Sequence, residues 1–317
     1  YGDPDSPALR DDLTAAIALA RTAARLRQAK VGVIGTHAPG FIDLAAEPFL
    51  LHTTLGIQLS PLSLPQFIER VQAVPEDATK ADVQKVLDLK LPMEGVTADA
   101  LAVNSRCYVA MTQWMEEEGL DALSIQCWPE LPNIIGQWPY LAVSRLGSEG
   151  RAISIEGDVD GSIGSLIQSC LGLGPGFLTD WLEHDDDSIF FWHPGMAPLD
   201  MCEDAGCEGA PSLAIHFNIP KPLVVNGRIR VGEAMTVTRL WRCDGRYHLT
   251  AFEGESVQPE RNVTGNTVLV RLSEPGVPAR FDRLIHAGMP HHVLLSFGNH
   301  AGQMRRLARM LGLNWVE

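Results

Sequence analysis

Apolar positions in the first half of the chain alternate between helical and strand periodicity. Ser6 can cap a helix that Pro7 opens, and leucine, isoleucine and alanine recur at helical spacing through about residue 28. A short apolar strand at 30–35 follows and ends in a glycine turn. The alternation continues through a helix at about 98–118, a strand at 120–127, a helix at 134–147 and a strand at 151–155. It predicts a parallel sheet with helices on its faces.

The pattern changes to short strand-like segments after about residue 185. These segments are 212–218, 223–225, 235–243, 246–252 and 267–272. The dipeptides Asn226-Gly227 and Asp244-Gly245 interrupt them, and each is a strong hairpin signal. A final amphipathic helix is predicted at about 300–312. We therefore predict an α/β chain, with a Rossmann-like parallel-sheet domain over residues 1–175 and a mainly antiparallel β domain with a C-terminal helix over 176–317.

The composition narrows the class of protein. Of the 317 residues, 39 are acidic and 25 are basic, which gives a formal net charge of −14. Nucleic acids and anionic membranes bind basic surfaces, and the sequence has no cluster of lysine or arginine, so we expect neither as a partner. No apolar run approaches the roughly 20 residues of a membrane helix. Residues 1–4 do not resemble a signal peptide, and we expect a cytoplasmic location.

Two local patterns allow a metal site or a disulfide away from the main candidate residues. Cys202 and Cys207 lie five residues apart in an acidic loop, which leaves a disulfide or a structural zinc site open. Reduced thiols of a cytoplasmic protein are the better interpretation, since no C-x-x-C pair is present. The run Asp185-Asp186-Asp187 lacks EF-hand spacing and is typical of a solvated loop.

Two acidic residues and a histidine pair form the candidate chemistry. Glu156 ends the strand at 151–155, Asp180 follows 24 residues later, and His291-His292 lie more than a hundred residues downstream. The separation of the two acids leaves room for one helix and a returning strand. Carboxylate oxygens and an imidazole suit a hard divalent cation such as Mn²⁺, and the same carboxylates can move protons on a sugar.

Each of these residues also has a purely structural interpretation. Glu156 can pair with an arginine, and Asp180 can cap a helix. His292 can be a hydrogen-bonded histidine that opens a buried strand. His193, at the end of an aromatic strand, is by itself more typical of the core than of a ligand set.

Four segments together resemble the metal-site segments of the L-fucose isomerase/L-arabinose isomerase superfamily. They are Ile155-Glu156-Gly157-Asp158, Phe177-Leu178-Thr179-Asp180, Phe191-Trp192-His193-Pro194-Gly195 and Gly288-Met289-Pro290-His291-His292. Their order and the separation of the two acids match. Residues 126–130 and 232–239 are also similar to stretches of the family's smaller bacterial members. The resemblance covers nearly the whole chain.

The resemblance implies a metal-dependent aldose–ketose isomerase. The substrate would be a monosaccharide that is L-fucose-like, L-arabinose-like or related, and the reaction would pass through a metal-bound enediolate. Glu156, Asp180 and His292 match the family's metal ligands, and Glu156 and Asp180 would also be catalytic. The implied cofactor is Mn²⁺, with Mg²⁺ or another divalent cation as alternatives.

The expected substrate contacts are Trp128, Glu130 and His193. Tryptophans 128, 138, 181 and 192 flank the metal-site segments, and one or two of them can stack on the apolar face of a sugar. Glu130 follows the predicted strand at 120–127, and ligands gather at the carboxyl ends of parallel strands. His193 matches a fourth metal ligand in the arabinose branch of the family, whereas the fucose branch has another residue there.

Two other functions stay open at this stage. One is a sugar-binding or regulatory protein of the same fold without turnover, and the other is a ketose epimerase that returns the proton to the opposite face. Family members usually carry another α/β domain ahead of the helix that starts here at Pro7, and we expect this chain to lack it. Because that domain helps to close a neighbouring subunit's site, we expect a homotrimer or homohexamer and an effect on substrate selection.

Overall fold

A parallel sheet comes first along the chain and a mainly antiparallel sheet second, as predicted. The computed structural model describes residues 6–174 and 176–317; residues 1–4, where we expect no signal peptide, lie outside this range. The predicted domain boundary at 175/176 stays a prediction. No helix in the described ranges is long and apolar enough to cross a membrane.

The helices and strands have the following bounds. The helices are α1 Pro7–Leu26, α2 Pro48–Leu55, α3 Leu64–Ala73, α4 Glu76–Asp88, α5 Ala98–Glu118, α6 Glu130–Ile135, α7 Tyr140–Ser148, α8 Val159–Leu171, α9 Val277–His286 and α10 Ala301–Leu311. The strands are β1 Lys30–Ile34, β2 Gln58–Leu62, β3 Ala122–Ile125, β4 Ala152–Ser154, β5 Phe177–His184, β6 Ser188–His193, β7 Ser212–Ile215, β8 Pro222–Arg228, β9 Ala234–Cys243, β10 Arg246–Val257, β11 Asn266–Leu272, β12 His292–Phe297 and β13 Asn314–Trp315. Short 3₁₀ helices occupy Ile42–Leu44 and Leu199–Met201.

The parallel sheet brings the loops that follow its strands together at one edge. Its order is β2-β1-β3-β4, and each neighbouring pair is parallel. Backbone hydrogen bonds join the loops: Ala38 N–H donates to the Glu156 carbonyl, and Gly157 N–H donates to the Ile125 carbonyl. The segment after β4 is therefore held between the segments after β1 and β3.

The second sheet closes on itself into a barrel. Its order is β13-β10-β9-β12-β5-β6-β11-β8-β7, and β10 also pairs with β11. Six strands thus form a closed antiparallel ring, in the order β10-β9-β12-β5-β6-β11. Closing the ring removes exposed strand edges. The interior is packed with large apolar side chains that include Phe177, Phe191 and Trp241.

Helix α8 is the element that joins the parallel sheet to the barrel. It contacts β1, β3 and β4 on one side and β9 and β12 on the other. Its residues Ile163 and Ile167 are buried in one core cluster with side chains of α1, β10 and α10. Burying each of these isoleucines contributes about 1.5–3 kcal/mol. The helix ends at Gly172, which adopts the left-handed conformation.

Most predicted elements are confirmed, and the exceptions have local causes. The predicted helix at 134–147 is confirmed only in part: residues 140–147 lie in α7, but Gly136 ends α6 in a left-handed conformation and α7 starts only at Tyr140. Asp244-Gly245 forms the predicted hairpin between β9 and β10, with φ of 52° and 70°. Asn226-Gly227 does not form one and lies inside β8. There the Asn226 side chain accepts a hydrogen bond from Gly265 N–H.

The structure also tests the predicted helix cap at Ser6 and the possible disulfide between Cys202 and Cys207. Ser6 precedes α1, but its side chain makes no capping hydrogen bond with the described residues of the helix. Cys202 and Cys207 both carry free thiols, so the disulfide alternative is wrong. Neither cysteine belongs to a cluster that could hold a metal ion within the described ranges.

Candidate active site

The two acids and His292 converge where α8 meets the barrel. Glu156 lies between β4 and α8, Asp180 lies within β5, and His292 is the first residue of β12. Strands β5 and β12 pair with His292 directly opposite Asp180. The Nε2 atom of His292 lies 3.3 Å from Glu156 Oε2 and 3.5 Å from Asp180 Oδ1. Residues that are far apart in the sequence therefore share one small volume.

The structural alternatives for the two acids are wrong. Asp180 does not cap a helix, because it lies in the middle of a strand that follows α8. The ion pairs of Glu156 are with His291 and His292, and in the described part of the chain we find none with an arginine. The nearby arginine instead pairs with Asp158, two residues further on.

A buried ion network fixes the orientation of His292. Asp158 Oδ2 lies 2.9 Å from His292 Nδ1. The Arg239 guanidinium donates to both oxygens of Asp158, at 2.6 and 3.0 Å. All three side chains are almost completely buried. Because Nδ1 is committed to Asp158, the other ring nitrogen points toward Glu156 and Asp180, as in histidines that bind metals through a carboxylate partner.

Asp158 also starts helix α8. Its Oδ1 accepts a hydrogen bond from Gly161 N–H at 2.9 Å, so it is the N-cap of the helix. Gly161 leaves room for this carboxylate, because a Cβ atom there would lie 2.7 Å from Asp158 Oδ2. The same side chain thus fixes the helix start and the histidine.

The backbone at Glu156 is in a conformation that is rare for a residue with a side chain. Its φ is 60°, in the left-handed region. The next residue, Gly157, also has a positive φ, and a Cβ atom there would lie 2.2 Å from the Thr36 carbonyl oxygen. Such conformations cost of order 1–3 kcal/mol and persist where the surroundings impose them, often at functional sites.

The environment moves the pKa values of the two acids apart. Burial alone would raise the pKa of Glu156, but the attraction of the neighbouring imidazoles of His291 and His292 outweighs it and holds the pKa below its usual value. Burial raises the pKa of Asp180, and the attraction to His292 does not offset this. Glu156 is therefore the more firmly ionised of the two carboxylates.

The two buried histidines differ in the same way. Burial lowers the pKa of His292, but Asp158 and Glu156 outweigh it and raise the pKa to about 10. Burial lowers the pKa of His193 to about 3, so this imidazole is neutral. Its Nδ1 atom is buried and has no hydrogen-bond partner in the part of the chain that the structure describes, and its ring centroid lies 6.1 Å from that of His292.

The side chains present fit a divalent cation. Arg239 neutralises Asp158, which leaves the carboxylates of Glu156 and Asp180 facing one imidazole. His292 Nε2 is buried and has no hydrogen-bond partner among residues 6–174 and 176–317, although it points at both carboxylates. A buried polar atom without a partner is costly, and a metal ion would satisfy it. Carboxylate oxygens with imidazole nitrogen suit Mn²⁺ and related cations.

His291 joins the site next to His292, although only His292 of this pair was predicted to be a metal ligand. One ligand atom each from Glu156, His291 and His292 lies within 4.8 Å of the others. His291 Nε2 is 4.0 Å from Glu156 Oε2 and 4.0 Å from Asp180 Oδ1. The adjacent histidines in Pro290-His291-His292 are the sequence signal for a second imidazole in the site. Neighbouring residues of a strand usually point to opposite faces, so only one of the two was expected to face the acids.

The loop after β1 forms a wall of the site that sequence patterns did not indicate. Phe41 packs against His291 and Trp128, with ring centroids 4.7 and 5.8 Å apart. Asp43 Oδ2 lies 3.6 Å from His291 Nδ1. Arg242 holds this loop by donating to the Asp43 carbonyl and pairing with Glu47.

The expected substrate contacts occupy different surroundings. Trp128 touches the site directly, since its indole N–H donates to Glu156 Oε1 at 2.9 Å. Glu130 is exposed and accepts a hydrogen bond from Gln126 at 2.7 Å. Of the other tryptophans, Trp181 packs in the barrel interior and Trp138 stacks on Tyr140.

Comparison with known proteins finds sugar isomerases along the whole chain. No family model matches. The chain is 28% identical over 320 residues to a sulfoquinovose isomerase of Priestia megaterium (strain ATCC 12872 / QMB1551), which covers 99% of this chain and 70% of that protein. It is 26% identical over 322 residues to a sulfoquinovose isomerase of Alkalicoccus urumqiensis, covering 100% and 71%. An L-arabinose isomerase of Bacillus subtilis (strain 168) is 24% identical over 262 residues, covering 78% and 48%. These relatives are aldose–ketose isomerases.

Proposed function

We propose that this protein is a divalent-metal-dependent aldose–ketose isomerase that acts on a monosaccharide. The observation that carries the proposal is the convergence of Glu156, Asp180 and the unpartnered Nε2 atom of His292. The names of the relatives support the reaction class. We propose that Glu156, Asp180 and His292 are the metal ligands and that Mn²⁺ is the preferred ion. His291 is a fourth candidate ligand.

The chemistry requires a proton to move between two neighbouring carbons. When bound, a divalent cation supplies Lewis-acid stabilisation of the negative charge that develops on the sugar's O1 and O2 oxygens. A carboxylate of Glu156 or Asp180 accepts the proton from C2 of the aldose and returns it to C1, while the O2 proton moves to O1. The product is the ketose of the same composition. Phe41, Trp128 and His291 line one side of the site.

The names of the relatives support a proposal for the substrate class, and the charges near the site limit how a charged sugar could bind. We propose an aldose of the sulfoquinovose, L-arabinose or L-fucose kind, contacted by Trp128, Glu130 and His193. Arg239 and Arg242 are each committed to a buried aspartate, Asp158 and Asp160. A sulfonate group would therefore need a cationic partner other than these two arginines.

We also propose that the site is completed within a homotrimer or homohexamer. The aromatic wall carries strongly exposed apolar neighbours, Ile42 at 77% and Phe49 at 83% exposure. Light scattering should find a symmetric oligomer. A fully active monomer would exclude shared sites.

Turnover should depend on a divalent cation. Protein treated with EDTA and freed of metal should not convert any sugar, and Mn²⁺ should restore conversion. NMR spectra of incubations with sulfoquinovose, L-arabinose, L-fucose and their ketoses would show the interconversion and distinguish it from epimerisation. Full activity of thoroughly metal-free protein would exclude the proposed mechanism. Tight Mn²⁺ and sugar binding without turnover would favour a regulatory, sugar-binding role.

Conservative substitutions of the two acids should distinguish a catalytic role from a purely structural one. Glu156→Gln and Asp180→Asn keep the side-chain shape but remove a negative charge and a proton acceptor. General acid–base action is worth about 10²–10⁴ in rate, so activity should fall at least that far, and metal affinity should fall too. Melting temperature, bound metal and rate are measured on the same samples. A lowered melting temperature with unchanged turnover would show that the residues are structural.

The role of Asp158 can be tested against Asp160, its neighbour in the sequence. Both aspartates are buried and paired with an arginine, but only Asp158 contacts His292. Asp158→Asn leaves the buried Arg239 without its counter-charge and should destabilise the protein by up to about 3–5 kcal/mol. Asp160→Asn should destabilise it less, because Arg242 keeps its ion pair with Glu47. Only Asp158→Asn should lower metal affinity, by about 10–100-fold. Equal metal affinities in the two variants would remove Asp158 from the site.

A further inference from the structure

The indole of Trp128 makes a contact that stacking on a sugar does not explain. Its Nε1–H donates to Glu156 Oε1 at 2.9 Å, and Glu156 is only 8% exposed. The other oxygen, Oε2, is the one that faces His292 Nε2 at 3.3 Å and His291 Nε2 at 4.0 Å. The two oxygens of this carboxylate therefore have separate partners.

The rest of Glu156 is already fixed, so the carboxyl group is its main remaining freedom. Its carbonyl accepts a hydrogen bond from Ala38 N–H, and Gly157 N–H donates to Ile125. The left-handed φ of Glu156 and the close approach of Gly157 to the Thr36 carbonyl leave this backbone little room to move. What remains is rotation of the carboxylate, which decides whether one or both oxygens point at the imidazoles.

Asp180 provides an internal contrast. Its closest charged contacts are the imidazoles of His292 and His291, at 3.5 and 4.0 Å. No indole holds either of its oxygens among the hydrogen bonds of the described residues. The two acids thus differ in how firmly their carboxyl groups are oriented.

We propose that Trp128 is a positioning residue, which holds Glu156 Oε1 so that Oε2 alone is presented to a divalent cation. The inference rests on the proposed function for its metal, but it concerns the binding geometry and not the turnover. The indole ring is held by the edge of Phe41 at 5.8 Å, so the donor is itself oriented. Residues that orient a metal-binding carboxylate are worth about 10–100-fold in metal affinity.

The test uses Trp128→Phe, which keeps an aromatic face and removes the N–H. The matched control is Trp192→Phe. Trp192 lies opposite Asp180 across β5 and β6, and its indole N–H donates to the Thr264 carbonyl at 3.0 Å. Calorimetric titration of metal-free protein with Mn²⁺ gives the affinity, and melting temperatures confirm that each variant is folded. Trp128→Phe should bind Mn²⁺ about 10–100-fold more weakly, and Trp192→Phe should bind like the parent chain.

A double-mutant cycle tests whether the loss of Mn²⁺ affinity in Trp128→Phe depends on Glu156. In a Glu156→Gln background, Trp128→Phe should cause little further loss of affinity, because coupled residues are not additive. Additive losses would overturn the proposal. So would an unchanged Mn²⁺ affinity in Trp128→Phe with a raised KM for sugar, which is the signature of a sugar-stacking platform.

The outcome is separable from that of the proposed function. A parent chain that binds Mn²⁺ but converts no sugar would defeat the isomerase proposal, and the affinity comparison would still decide the role of Trp128. A parent chain that binds no Mn²⁺ at all would overturn the positioning role directly.

Discussion

The buried ion pair between Arg239 and Asp158 is the interaction on which the candidate site depends. Asp158 caps α8 through Gly161 N–H and holds His292 through Nδ1, so the helix start and the imidazole share one carboxylate. An unpaired carboxylate with no exposed surface would be very costly. Arg239, from the barrel strand β9, removes that cost with two short hydrogen bonds. The parallel-sheet half and the barrel half of the chain are therefore joined at the site by charge as well as by apolar packing.

The surroundings explain why the carboxylates of Glu156 and Asp180 differ in pKa and in how firmly they are oriented. Glu156 is fixed by its backbone, by an indole and by two imidazoles, and its pKa lies below the usual value. Asp180 lies within strand β5, and burial raises its pKa. A cation site needs firmly placed negative charge, whereas proton transfer needs a carboxylate that can change its protonation state. The fold places both kinds of acid close to His292 Nε2, with carboxylate oxygens at 3.3 and 3.5 Å.

The sequence predicted those parts of the fold that local patterns control. The helix from Pro7, the strand at 30–35 and the helix at 98–118 are confirmed, because their apolar periodicity or caps are local. The alternation of strands and helices predicted the parallel sheet, and short segments with a turn predicted the antiparallel one. The hairpin predicted at Asn226-Gly227 is wrong, and a local hairpin signal cannot show that the Asn226 side chain accepts a hydrogen bond from Gly265, in the loop before β11.

For the candidate site, the sequence alone determined the residue types, their order and the 24-residue spacing of Glu156 and Asp180, which matched a helix and a returning strand. Residue type, order and spacing can be determined directly from the sequence. The tertiary structure decided that Arg239 pairs with Asp158 and not with Glu156, that His291 joins the site, and that Trp128 donates to Glu156. Each of these contacts joins residues from different loops or strands. Their distances are set by strand register and by helix packing, which no local sequence pattern encodes.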